Sequence, residues 1–362
     1  ILNMNDHGFT IVAYNRSTDK VDRFLANEAK GTQVISAHSI AEMVALLKKP
    51  RRVMMLVKVG QPVDDFIEQL IPHLEKGDII IQIAEENIKN MDELDSILKE
   101  NKIDIVIHLA ASSLVGESVA IPFKYYDNNL YATACLLETM RKNNVDKIVF
   151  SSTASVYGAV DKVPITEDMP TIPTNTYART KLDIENMMKD FEIAYGIKSV
   201  ALRYFNAAGS DINARIGEIR EVETHLIPII LRGLIEGKDS IDVFGNDYPT
   251  NDGTCIRDYI HVIDLAKAHY LVANHLLNGG SSNVYNLGSA KGYSVLEVIE
   301  AARKVTGRKI DINFVQRRAG DPPNLVASYE KIKKDLAFNL EYPSIETMIE
   351  HAWNFYQKYY SN

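Results

Sequence analysis

Short apolar runs alternate with amphipathic stretches along most of the chain. FTIVAY (9–14), RRVMMLVK (51–58), DIIIQI (78–83), DIVIHLAA (104–111), KIVFSST (147–153) and VALRYFNAAG (200–209) have the length and bounding residues of buried strands. QPVDDFIEQLIPHLEK (61–76), MDELDSILKEN (91–101) and YARTKLDIENMMKDFEIAYG (177–196) lie among them and carry apolar residues at three- and four-residue spacing. This alternation predicts an α/β fold, a doubly wound parallel sheet with helices on both faces. Beyond about residue 210 the pattern loosens into shorter elements rich in Gly, Asp and Pro. A smaller C-terminal α/β substrate domain is expected there, its loops carried on the rigid sheet.

Composition narrows the class. The 362 residues are 46% hydrophobic and 24% charged, as in a water-soluble globular protein. A net charge of −8 opposes a nucleic-acid or anionic-membrane partner. No apolar run approaches the ~20 residues of a membrane span, and Asn3, Asn5, Asp6 and His7 interrupt any signal-peptide core. Cys135 and Cys255, the two cysteines, are far apart and show no metal-ligand spacing. A cytoplasmic protein without a metal is expected.

The opening ILNMNDHGFTIVAYNRS reads as the back half of a strand–helix–strand unit. In a dinucleotide-binding fold the front half ends in a glycine-rich turn that holds pyrophosphate. No Gly-x-x-Gly-x-x-Gly pattern occurs in the sequence. VMMLVKVGQPVDDF offers a strand–Gly–helix turn at Gly60, but Asp64 and Asp65 would compete with an anion there.

The most informative stretch is Asn175-Thr176-Tyr177-Ala178-Arg179-Thr180-Lys181. Tyr177 and Lys181 are four apart in a helical context and share one face. An ammonium near a phenol favours the phenolate, which lowers a pKa that starts near ~10 and makes a general base for an alcohol. Tyr-x-x-x-Lys alone is also a common surface pattern. About 24 residues upstream, however, Ser151-Ser152-Thr153-Ala154-Ser155 follows the strand KIVF. Hydroxyls at the carboxyl end of a parallel strand sit where open α/β sheets bind ligands.

From roughly Glu86 onward the chain resembles the UDP-glucose 4-epimerases, enzymes of the extended short-chain dehydrogenase type with a Rossmann-like sheet. HLAASSLVGESV (108–119), YYDNN (125–129), SSTASVYG (151–158), NTYARTK (175–181), RYFNAAG (203–209), FGNDYPTNDGTCIRDYIHVIDLA (244–266), VYNLG (284–288) and RRAGD (317–321) carry the resemblance in the family's order. It implies NAD as cofactor, a UDP-hexose as substrate, and Thr153, Tyr177 and Lys181 as the catalytic set. Asn87, Ile88, Leu109, Ala110, Ala111, Asn128, Ser151 and Tyr204, with Tyr177 and Lys181, would lie along the cofactor. Asn206, His225, Leu226, Phe244, Arg257, Arg318 and Asp321, with Thr153, would hold the UDP-sugar. Guanidinium forks suit a diphosphate. Leu325 falls where the family gates sugar size. The implied reaction removes a proton from the 4-hydroxyl and hydride from C4, turns the 4-keto sugar over, and returns both to the opposite face. Amphipathic helices after YYDNN and at YARTK imply a homodimer joined through a four-helix bundle.

Residues 1–81 instead resemble the cofactor domain of 6-phosphogluconate dehydrogenase, in which the turn here written Asn15-Arg16-Ser17 contacts the 2′-phosphate of NADP. The helical domain that would complete that enzyme's site is absent. Where the epimerases place Asp-Ile against adenine, this chain has Asn87-Ile88. A composite chain, a sequence truncated before Ile1, or a misassigned first segment would each account for this, and a composite or misassigned origin is the reading favoured here. The expected division is therefore 1–82 as a Rossmann-type segment, 83–210 as the remainder of the NAD domain with the catalytic residues, and 211–362 mainly as the UDP-sugar domain. Some segments of that last part return to the Rossmann sheet. A nucleotide-sugar dehydratase is a weaker alternative, because it wants an acidic pair beside the relay hydroxyl and Ala154 follows Thr153. A scaffold that binds UDP-sugar without cofactor is the non-enzymatic one.

Overall fold

The computed structural model describes residues 10–49, 51–55, 69, 71–73, 79–82, 87–101, 103–160, 162–220, 222–317 and 322–360. Its N-terminal part begins with β1 (Ile11–Tyr14), α1 (Thr18–Ala26), β2 (Val34–Ala37) and α2 (Ile40–Leu46), then β3 (Arg52–Met55) and β4 (Ile79–Gln82). β1 pairs with β2 and β3 with β4, each in parallel. Ser39 caps α2 by accepting the Glu42 N–H. Gly60 and most of QPVDDFIEQLIPHLEK, including Asp64 and Asp65, lie outside the described residues.

The site is built on the next elements. α3 (Met91–Asn101) leads to β5 (Val106–His108), α4 (Val115–Ala120) and α5 (Pro122–Tyr125). A π-helical turn at Tyr126–Tyr131 runs into α6 (Ala132–Lys142), followed by β6 (Lys147–Thr153). After a long connection come α7 (Thr176–Tyr195) and β7 (Lys198–Tyr204). A four-stranded sheet runs in the order β11–β7–β6–β5, all parallel, with β11 at Asn283–Leu287. Alternation along the strands sorts their side chains between two layers. Ile148, Phe150 and Ala201 pack with Ile184 and Met188 of α7. Val149, Val200 and Leu202 pack on the other face with Leu265, Val272 and Leu276 of the helix Val262–Leu277.

The remaining elements are β8 (Asn206–Ala208), α8 (Leu226–Ile235), β9 (Ser240–Phe244), β10 (Ile256–His261), α9 (the helix Val262–Leu277), β12 (Gly292–Ser294), α10 (Val295–Thr306), β13 (Asp311–Val315), β14 (Asn324–Leu325), α11 (Glu330–Leu336) and α12 (Ile345–Tyr360). β10 is central to a mixed sheet, antiparallel to β12 and parallel to β14 and β8, while β9 and β13 pair in parallel. Leu231, Val243, Val298, Ile299 and Ile349 form a separate core beneath this lobe. α10 starts with a reciprocal capping box between Ser294 and Glu297. Among the described residues no helix is long and apolar enough to cross a membrane.

Candidate active site

β6 and α7 bring the expected catalytic side chains together. Asn175 begins α7 by accepting the Ala178 N–H at 2.9 Å, and Gly196 ends it in the left-handed conformation, φ 76°. Two residues past that cap, the Tyr177 phenol lies close enough to the Thr153 hydroxyl at the end of β6 for that hydroxyl to favour its phenolate. Lys181, 2% exposed, donates to the Ser151 carbonyl at 2.8 Å. Its ammonium lies 4.8 Å from the Phe150 ring centre and 5.9 Å from that of Tyr177. The edge of the Tyr125 ring meets Tyr177 at 6.4 Å.

One electrostatic expectation is corrected. Burial is the largest influence on the Tyr177 phenol and raises its pKa above the usual value, although the bond to Thr153 and the charge of Arg220 pull it down. The Lys181 ammonium does not set the direction of this shift. It donates to the Ser151 carbonyl. Phenolate formation must therefore overcome desolvation.

The cofactor-side residues gather at the carboxyl ends of β5, β6 and β7. Tyr204 stands opposite Thr153 in the strand register, and the nearby Ser151 hydroxyl eases its ionisation. The Tyr204 hydroxyl also meets His269 Nε2 at 2.5 Å, while His269 Nδ1 bonds the Leu265 carbonyl. Because Nδ1 must donate to that carbonyl, Nε2 of the neutral ring accepts from Tyr204. The π-helical turn carries Asn128, whose amide reaches Ser112 at 3.3 Å and accepts from Lys89 at 3.2 Å. Leu109, Ala110 and Ala111 follow β5 directly, and Leu109 is 54% exposed. Hydroxyls and a phenol on the strand ends of β6 and β7, with the Lys181 ammonium on α7 and the Asn128 amide on the π-helical turn, suit a nicotinamide riboside. Asn87 lies on the short turn Asn87–Lys89, and Ile88 packs against the core beside α6. Arg16 is exposed on the turn after β1.

Two residues past Tyr204 the chain enters a cleft of about 760 Å³ that gathers Asn206, His225, Leu226, Phe244 and Arg257. Asn206 donates to the Asp258 carbonyl at 2.9 Å. Arg257 reaches the Ile256 and Pro322 carbonyls at 2.9 and 2.8 Å, and pairs in register with Leu325. His225 contacts Glu218, which also binds Arg220. Glu218, Glu223 and His225 lie close enough to share a cation, but Arg220 already supplies positive charge to Glu218. Arg318 and Asp321 lie outside the described residues.

Sequence reasoning passed over several residues that organise this site. Fully buried Asn129 bonds both the N–H and the carbonyl of Ser112, and reaches Thr180 of α7. Its place beside Asn128 in YYDNN was the available signal. Buried Asp258 accepts from Ser289, Ala290 and Ala327 and so secures the loops around β10. Burial raises its carboxyl to about 6. Glu185 and Arg203 form a buried pair behind the catalytic strands, and in sequence each resembles an ordinary surface charge.

A parallel sheet with a Tyr/Lys helix and strand-end hydroxyls defines a member of the short-chain dehydrogenase class. The chain belongs to the NAD dependent epimerase/dehydratase family, whose model matches residues 43–288. It is 52% identical over 273 residues to the UDP-glucose 4-epimerase of Halalkalibacterium halodurans, covering 75% of this chain and 82% of that one. A crystal structure of a UDP-glucose 4-epimerase aligns with TM-score 0.74 at 46% identity, covering 79% of this chain and 86% of the other. The Bifidobacterium longum UDP-glucose 4-epimerase in complex with NAD+ and UDP aligns with TM-score 0.72 at 40% identity, covering 78% and 84%. The family match starts at residue 43, well inside the segment likened to 6-phosphogluconate dehydrogenase. A composite origin is not borne out.

Proposed function

We propose that this protein interconverts UDP-glucose and UDP-galactose by inverting C4, with NAD as its cofactor and Tyr177 as the acid–base group. The observation that carries the reading is Tyr177 beside Thr153 and buried Lys181 at the ends of β6 and β7, with a cleft lined by Asn206, His225 and Arg257 beginning two residues after β7. Arg257 grips the diphosphate and Asn206 and His225 orient the sugar end. Leu226 and Phe244 add apolar wall. Arg318 and Asp321, outside the described residues, are assigned to the UDP end by the family resemblance alone. Tyr177 takes the proton of the 4-hydroxyl at its phenolic oxygen and returns it, with the Thr153 hydroxyl bridging the two. Lys181, Asn128, Ser151 and Tyr204 hold the nicotinamide riboside, and the strand-end run from Leu109 to Ala111 lies along it. NAD, when bound, supplies the transient hydride acceptor.

The enzyme acts in the cytoplasm as a homodimer. Its two cysteines are buried and unpaired. Phe123, Ile121 and Tyr131 before α6, and Ile193 and Tyr195 at the end of α7, are apolar and exposed, at 78%, 52%, 56%, 85% and 54%. Together they supply a face for a second copy.

A binding module without turnover is the second reading. The two are separated by incubating purified protein with UDP-galactose, then denaturing it and assaying the released nucleotide. Formation of UDP-glucose with stoichiometric NAD is expected. UDP binding without NAD or conversion would establish the module instead. Because burial disfavours the phenolate, kcat/KM should rise with pH through one ionisation, and a flat profile between about pH 6 and 9 would remove Tyr177 from the rate.

A further inference from the structure

We infer that Glu185 is a positioning residue that sets the register of Tyr177 and Lys181 against the strand ends, acting through a buried clamp with Ser152 and Arg203. This rests on the epimerase reading above and identifies what holds its catalytic helix in place.

Tyr177, Lys181 and Glu185 recur at four-residue spacing along one face of α7. The Glu185 and Arg203 side chains are 1% and 5% exposed. Glu185 Oε1 accepts from Ser152 Oγ at 2.5 Å and from Arg203 Nε at 3.0 Å, and Oε2 accepts from Arg203 Nη2 at 2.6 Å. Ser152 and Arg203 stand opposite each other in the register of β6 and β7. One carboxylate thus ties α7 to both strands at once.

The neighbours of each tie are the residues of the site. Ser152 lies between Ser151, whose carbonyl receives Lys181, and Thr153, which meets Tyr177. Arg203 precedes Tyr204. The clamp is braced from behind, because Arg203 Nη1 donates to the Tyr157 hydroxyl at 2.7 Å and that hydroxyl donates to Asn286 at 2.7 Å. A slide of α7 along the sheet would break the fork at Glu185 and the Tyr177–Thr153 contact together. A bidentate fork resists such a slide because both bonds depend on one planar alignment.

The test compares NAD-loaded wild type with Glu185→Gln and with Glu185→Leu/Arg203→Leu. Three quantities are measured: melting temperature, kcat and KM for UDP-galactose, and the near-ultraviolet titration of Tyr177 taken as a difference from the matching Tyr177→Phe protein. Glu185→Gln should lower kcat about 10- to 100-fold, the scale of a small misplacement at a reacting centre, with KM little changed and the Tyr177 titration displaced. The double variant replaces the ion pair with apolar groups and should recover melting temperature while kcat stays low. Wild-type kcat and an unmoved Tyr177 titration in Glu185→Gln would overturn the inference. So would kcat recovering together with melting temperature in the double variant, since that is the mark of a purely structural role. If wild type itself shows no epimerisation, the functional reading fails, and the Tyr177 titration alone then decides whether the clamp sets that phenol's environment.

Discussion

The two halves of the site are built in opposite ways. At the ends of β6 and β7 the side chains proposed for the chemistry and the cofactor lean on one another and on the strands: Lys181, 2% exposed, on the Ser151 carbonyl, Tyr177 beside Thr153, and Tyr204 on His269. Across the cleft, Arg257 is only partly buried and His225 keeps 41% of its side chain exposed. Arg257 rests on backbone carbonyls that an anionic ligand can replace. Chemistry needs reacting groups held within a fraction of an ångström. Binding tolerates groups that move from a weak partner to a better one. A sugar that must turn over while its diphosphate stays fixed calls for both kinds of wall.

This contrast can be broken experimentally. Arg257→Met should raise KM for UDP-galactose by about 10- to 100-fold, the value of one lost charge-assisted bond of ~1.5–3 kcal/mol. Steady-state kinetics should show kcat little affected, and a matching drop in kcat would mean that the cleft also positions the reacting carbon. The smallest effect is expected at the helix start. Asn175→Ala removes the cap of α7 and should cost ~1 kcal/mol of stability, measured by denaturant unfolding. A loss several times larger would show that the catalytic helix depends on its cap more than on the buried face.

Much of this fold was legible in the sequence because local periodicity and tertiary packing agree. KIVFSST gave the full extent of β6 and MDELDSILKEN that of α3, while α7 begins one residue earlier than its apolar pattern because Asn175 caps it. The stretch after residue 210 looked looser than it is. Strands as short as SIDVF and DINFV carry little periodic signal, yet they pair and cover a core of their own. Residues brought together from distant elements were the least legible. Glu185 on a charged helix and Arg203 inside a strand become one buried pair only when α7 lies across β6 and β7. The raised phenol was missed for the same reason, since spacing predicts the nearby ammonium but not the depth of burial that opposes it.

Tyr177→Phe tests the central claim most directly. It removes one oxygen and leaves the edge-to-face contact of the ring with Tyr125. Assayed as conversion of UDP-galactose on NAD-loaded protein of unchanged melting temperature, kcat should fall by about 10²- to 10⁴-fold with KM little altered. Turnover at the wild-type rate in that variant would place the acid–base group elsewhere and contradict the account.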